Sequence, residues 1–238
     1  MFRNLLRALN TNTQPNIHKH SMRTLMTISD SFKDSLLKSQ VIPQVIHNES
    51  FSPRGFLMIN YGSEKEVTLG NKLKPSETQS RPNINFTLNV PTSTTEEPLK
   101  ITNDDRFTLI MTDPDAPTRG DEKWSEYCHY LSTDIKLNTF DSETFTAVNG
   151  NDIAQQLTTQ NIKGDDLVPY MGPGPPKNTG LHRYVFLLYR QKSDGSKMQK
   201  ISDRPCWGSG IPGYGAHEYA QKNHLELLAA NFFYAEAE

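Results

Sequence analysis

Three short stretches hold the residues that could do chemistry. Asp113-Pro114-Asp115-Ala116-Pro117 follows an apolar run and presents two carboxylates on a turn stiffened by two prolines. Taken alone, the pattern is turn chemistry, in which aspartate side chains accept local backbone N–H groups. Lys123-Trp124-Ser125-Glu126-Tyr127-Cys128-His129-Tyr130-Leu131 sets a thiol beside a histidine where a further strand of alternating character is expected to begin. A lone histidine there reads as a satisfied core residue and Cys128 as its buried neighbour, since no group nearby in sequence would lower a thiol pKa. The third stretch runs from Tyr170 to Arg190 (YMGPGPPKNTGLHRYVFLLYR). Pro173, Pro175 and Pro176 each fix their own φ and restrict the residue before them, and Gly172, Gly174 and Gly180 are expected to allow turns and close approaches that a side chain would block. A loop preorganised in this way is a candidate ligand site, with His182, Arg183 and Tyr184 at the mouth of the strand it feeds.

That strand, Tyr184 to Tyr189, is aromatic and aliphatic without a break, which predicts burial on both faces and a place in the middle of a sheet. Further strand-like runs are GFLMINY (55–61), EVTLG (66–70), INFTLNV (84–90) and FTLIMTD (107–113), each bounded by Pro, Gly, Asn or Asp. The class is therefore mostly β. Ile28, Phe32, Leu36 and Leu37 recur at helical spacing after Ser29 and Asp30, both capping types, and Pro43 is expected to end this short amphipathic helix. Residues 91–105 are polar and punctuated by proline, which suits a surface loop because strands of the same kind resume directly after it. There is no internal repeat, and one domain over residues 28–238 accounts for the pattern.

Composition narrows the function classes. No run approaches the roughly 20 apolar residues of a membrane-spanning helix, so a soluble chain is expected. The net charge of −2 hides an asymmetry, because Arg3, Arg7, Lys19 and Arg23 stand in a first segment without acids. With those four removed from 25 basic residues, 21 face 27 acidic ones, a net of −6, which makes the body a poor nucleic-acid binder. Only Cys128 and Cys206 occur, so no disulfide framework is indicated and a reducing compartment is the simpler assumption. Residues 1–27 read equally as a mitochondrial presequence, with Phe2, Leu5, Leu6 and Leu9 on one helical face, as a disordered basic tail, or as an upstream start before Met22 or Met26.

In combination the three stretches carry more than each does alone. DPDAP, KWSEYCH and PGPPKNTGLHRYVFLLY, in that order and spacing, resemble the phosphatidylethanolamine-binding protein family, also called Raf kinase inhibitor proteins. HNESFSPRGFLMINY (47–61), GNKLKPSETQSRPNINF (70–86), DRPCWG (203–208) and NFFYAE (231–236) extend the likeness over roughly residues 28–238. KWSEYCH, DRPCWG and NFFYAE are most similar to the branch of that family that inhibits carboxypeptidase Y.

The resemblance implies an antiparallel β-sandwich of two sheets with short peripheral helices, and it implies an anion pocket. Asp113, Asp115 and Pro117 match the family's DPDxP acids and proline, His129 its strand histidine, Gly174 and Pro176 its loop, and His182 and Tyr184 the opening of its HRYVF strand. Tyr127 stands where many members have Trp, a departure that alters one wall. Two imidazole N–H groups, a Tyr hydroxyl and a Gly backbone N–H would supply a phosphate with donors, with an Asp holding an imidazole's other nitrogen and favouring its charged form.

The implied ligand is an anionic phospholipid headgroup or a phosphorylated molecule, and the implied partner a serine carboxypeptidase or another regulated enzyme, with no cofactor or metal. The inhibitory segment of that branch precedes the first helix, where this chain has Met22, Arg23, Thr24, Leu25, Met26, Thr27 and Ile28, a stretch that departs from the branch pattern. A hydrolase built on Ser125 lacks a nucleophile-elbow motif, and a metal site of His129, His182 and Asp113 lacks a helical ligand pair. The expectation is a non-enzymatic binding and regulatory protein of the cytoplasm, with association with the vacuole or a membrane as one reading, or of mitochondria if residues 1–27 act as a presequence.

Overall fold

The computed structural model describes residues 31–89, 99–141, 155–192 and 197–238. The expectations for Met22 to Thr27, for Ile28 and for the capping pair Ser29 and Asp30 lie outside these residues, as does most of the 91–105 loop. Among the described residues, nine strands form two antiparallel sheets. They are β1 (Gly55–Tyr61), β2 (Lys65–Glu66), β3 (Asn83–Leu88), β4 (Phe107–Asp113), β5 (Tyr127–Ile135), β6 (Thr158–Thr159), β7 (Asp165–Val168), β8 (His182–Arg190) and β9 (Glu226–Ala235). One sheet has the order β2-β1-β3-β6 and the other β7-β5-β4-β8-β9. Helix α1 covers residues 31–38, and α2 (Val41–Gln44) and α3 (Ala216–Lys222) follow in chain order. No helix among the described residues is long and apolar enough to cross a membrane.

Two hydrophobic layers hold this arrangement. Leu57, Ile59 and Phe86 of the four-stranded sheet meet Leu109, Met111, Phe186, Leu188 and Phe233 of the other, forming the core between the sheets. On the far side of the five-stranded sheet, Ile110, Leu131, Val185, Leu187 and Phe232 lie under Phe32, Leu36, Val41, Ile42, Trp207 and Tyr219. The second layer explains why β8 is buried along almost its whole length, as its unbroken apolar sequence requires.

That layer also accounts for two departures from expectation. β5 does not alternate, since both its faces are covered, one by the opposite sheet and one by the helical side. Leu37 is 41 % exposed, because Phe32 and Leu36, four residues apart, already fill the one stripe of α1 that faces the sheet. Pro43 lies within α2 and does not end α1; the chain turns at Gln40 in the left-handed region instead. Of the 66–70 run only Glu66, after Lys65, belongs to β2, and the Val67 N–H still donates to the Ile59 carbonyl of β1 before positive φ at Leu69 and Gly70 turns the chain away. β3 stops at Leu88.

Candidate anion site

Antiparallel pairing brings the dispersed stretches together at one end of the five-stranded sheet. β4 lies between β5 and β8 and runs against both, so its C-terminal end adjoins the starts of both neighbours. Asp113 pairs in register with Tyr127, and Thr112 with Val185. Period two then sets the faces: His182 and Tyr184 share one face of β8, and Arg183 points to the other. On β5 the register slips between Met111, opposite Tyr130, and Thr112, opposite Cys128. His129 is the extra residue of that bulge, the kind of irregularity that re-aims a side chain.

The resulting cavity, of about 190 Å³, is lined by Asp113, Pro117, Tyr127, His129, Gly174, Pro176, His182 and Tyr184, with Ala116, Trp124, Met171, Gly172 and Pro175 completing its wall. Every expected pocket residue except Asp115 is among them. Asp115 is turned into the helical layer, where its Oδ1 and Oδ2 accept hydrogen bonds of 2.6 and 2.8 Å from the Arg183 guanidinium and Oδ2 takes the Arg183 backbone N–H at 2.8 Å. The expectation that Asp115 meets the ligand is therefore corrected. Its partner is a buried arginine whose Nη1 reaches the carbonyls of Ser39 and Gln40 just after α1, tying that helix to the rim.

Asp113 holds an imidazole: its Oδ2 lies 2.8 Å from His182 Nδ1, with both side chains buried. His182 Nε2 is 2.9 Å from the Thr179 hydroxyl, which itself lies 2.7 Å from the Pro176 carbonyl. Both His182 nitrogens are thus engaged, and the ring anchors the proline loop to the strand. His129 differs. Its Nδ1 is 2.9 Å from the Met171 carbonyl; a carbonyl only accepts, so Nδ1 carries the proton and a neutral ring offers Nε2 as a lone pair. No hydrogen bond occupies that Nε2 among the described residues. Burial pushes the His129 pKa down, and the nearby Asp113 charge and the Met171 bond oppose the shift without reversing it. Two donor N–H groups are therefore not both on offer, and His129 becomes a donor to the cavity only on taking up a proton. Burial, with the Asp113 charge adding to it, raises the Tyr184 phenol, and a hydrogen bond from the Gly174 backbone works the other way.

Several supports escaped the sequence reading. Arg204, in the DRPCWG stretch, donates from Nη1 to the Cys128 and His129 carbonyls and from Nη2 to Pro169, pinning β5 against the loop. The side chain of Gln79 donates to the Pro173 carbonyl at 2.8 Å. Gly172 is needed for that contact, since a Cβ there would come within 2.7 Å of the Gln79 Cα. Gly174 is not needed in the same way, because a Cβ there meets nothing within 4 Å; it keeps the cavity open. Trp124 and Met171 stay 43 and 41 % exposed at the mouth, and the Tyr127 hydroxyl reaches the Met171 sulfur at 3.8 Å. Ser125 gives its proton to the Pro114 carbonyl at 2.9 Å and to no base. Cys128 is buried and its thiol pKa is pushed well up by burial, as expected of an inert neighbour.

The sequence model of the family described as "Phosphatidylethanolamine-binding protein" matches residues 63–233. The chain belongs to the phosphatidylethanolamine-binding protein family. A carboxypeptidase Y inhibitor of Saccharomyces cerevisiae is 45 % identical over 85 % of this chain and 94 % of its own. The crystal structure of carboxypeptidase Y inhibitor complexed with the cognate proteinase superimposes with a TM-score of 0.74 at 40 % identity, covering 88 % of this chain and 97 % of that one. A phosphatidylethanolamine-binding protein from Plasmodium vivax, at 23 % identity and a TM-score of 0.62 over 87 % of this chain and 97 % of its own, shares the fold. The two-sheet sandwich expected from the motifs is thus the family's architecture.

Proposed function

We propose that this chain is a binding and regulatory protein that inhibits a serine carboxypeptidase of the carboxypeptidase Y type, and that its cavity takes a phosphate group. The observation that carries the inhibitory reading is 45 % identity running through 94 % of an inhibitor's length. Residues 22–28, ahead of α1 in the sequence, are the proposed inhibitory segment, because a terminal segment in general can enter a deep cleft without disturbing a sandwich core. The cavity supports the anion reading by size and chemistry. Some 190 Å³ suits a headgroup and not a whole lipid, and His129 with the Tyr184 hydroxyl can meet phosphate oxygens. A catalytic role is disfavoured because the Ser125 hydroxyl proton is committed to a carbonyl.

The test compares carboxypeptidase rates against inhibitor concentration for the full chain and for chains beginning at Met22, Met26 and Asp30, with phosphoethanolamine binding measured in parallel to verify folding. The chains beginning at Met22 and Met26 are expected to inhibit, the full chain less well because its end is displaced, and the chain beginning at Asp30 very little. Inhibition by none of the four, with the anion still bound, would overturn the carboxypeptidase assignment and leave a phospholipid-binding or signalling role. Equal inhibition by all four would place the inhibitory element on the folded surface.

A further inference from the structure

A second cavity among the described residues, of about 370 Å³, lies away from the anion site, and His47 and His217 are among its walls. His47 stands in the segment after α2, while His217 and Glu218 are neighbours in α3. One ligand atom from each of the three lies within 4.8 Å of those of the other two. The two imidazole rings sit 4.1 Å apart between centroids, tilted by 35°.

Hydrogen bonds fix two of the three groups, His47 and Glu218. His47 Nε2 lies 3.2 Å from the Gln44 carbonyl, which only accepts, so Nε2 carries the proton and Nδ1 keeps its lone pair. That Nδ1 faces Glu218 Oε1 at 4.0 Å, too far for a hydrogen bond. The other carboxylate oxygen, Oε2, is fixed by the Gly215 backbone N–H at 2.8 Å. An imidazole whose second nitrogen donates to a backbone carbonyl, and a carboxylate held by a backbone donor, are the outer contacts that metal ligands characteristically have. Two bonds of about 2.0–2.2 Å at a tetrahedral angle set ligand atoms about 3.4 Å apart, so the 4.0 Å His47–Glu218 pair has to close by roughly half an ångström on binding, a shift within reach of side-chain rotation.

We propose that His47, His217 and Glu218 bind one divalent transition-metal ion of the zinc class. Two imidazoles and one carboxylate select for zinc, cobalt, nickel or copper over magnesium or calcium. Three protein ligands leave positions for water, and the adjoining cavity gives that water, or a small exogenous ligand, room to bind. The ion would also staple the segment after α2 to α3, whose Val45, Ile46, Ala216 and Ala220 already share the outer hydrophobic layer. This inference is independent of protease inhibition.

The experiment titrates zinc, in competition with a chromophoric chelator, into the full-length protein freed of metal, and uses cobalt absorption to report the ligand set. One equivalent per chain is expected, with His47→Ala and His217→Ala each weakening it by at least about tenfold and Glu218→Gln by about tenfold. His129→Ala should leave it unchanged, and thermal stability should rise with zinc in the wild type but not in the His47→Ala variant. Far-UV circular dichroism and a cooperative thermal melt verify that each variant is folded. No stoichiometric zinc binding by the wild type, or equal binding by a folded His47→Ala, His217→Ala double variant, would overturn the proposal.

Discussion

Asp115 and Arg183 form a two-point ion pair at 2.6 and 2.8 Å, with both side chains almost wholly buried. The arginine's Nη1 donates to the Ser39 and Gln40 carbonyls, so one side chain joins the DPDAP turn, strand β8 and the end of α1. Removing one member of such a pair leaves an uncompensated buried charge. Asp115→Asn should therefore cost about 3–5 kcal/mol, seen as a fall of roughly ten degrees or more in Tm. Denaturant melts would read it, and a loss under 1 kcal/mol would show that the pair is not buried as described.

Replacing His129 and His182 together by Ala should abolish phosphoethanolamine binding in calorimetry or NMR titration. The single His129→Ala variant separates the roles, because His182 braces the loop through Asp113 and Thr179 whereas His129 leaves Nε2 for the ligand. That variant should bind far more weakly with its thermal stability nearly intact. Equal binding by wild type and the double variant would disprove the pocket assignment.

Anion affinity should fall as pH rises from about 5.5 to 8. The His129 pKa is lowered by burial, so at neutral pH its Nε2 is a lone pair that repels a phosphate dianion; an added proton turns it into a charged donor. Phosphate monoesters gain their own second proton near pH 6, which lowers their charge and flattens the rise in affinity at the acid end of this range. Without ligand the sign reverses: a histidine whose pKa is lower when folded binds fewer protons than in the unfolded chain, so its contribution to stability is lost as pH falls below about 6.5. Thermal shifts with and without phosphoethanolamine across this range test both signs, and a flat affinity would mean that neutral hydrogen bonds hold the ligand.

Glu126 gives the opposite slope. It is buried, and burial raises its pKa to about 7, although hydrogen bonds from the Ala216 N–H and the Thr112 hydroxyl oppose the shift. The folded state therefore binds more protons than the unfolded chain between pH 4.5 and 7, and stability declines through that window. Glu126→Gln keeps an oxygen for both donors and does not ionise. It should be stabilising relative to wild type by on the order of 2–3 kcal/mol above pH 7 and close to neutral at pH 4.5. A pH-independent difference between the two proteins would contradict the assignment.

The sequence by itself determined the class, the family, the buried strand β8 and most of the residues around the cavity. Those follow from local pattern: an unbroken apolar run has to be covered on both faces, and paired prolines stiffen a loop wherever they occur. The tertiary structure decided which of two aspartates, only two residues apart, serves which layer. Asp113 turns to an imidazole 69 positions along the chain, and Asp115 to a guanidinium 68 positions along, on the opposite side of the sheet. No local pattern could separate them, because the choice is made by pairing β4 against β8 and by the helices that cover the second face. The same is true of His129, whose orientation comes from a bulge that exists only once β5 lies against β4, and of Arg204, whose role emerges only when the Cys128, His129 and Pro169 carbonyls come within its reach.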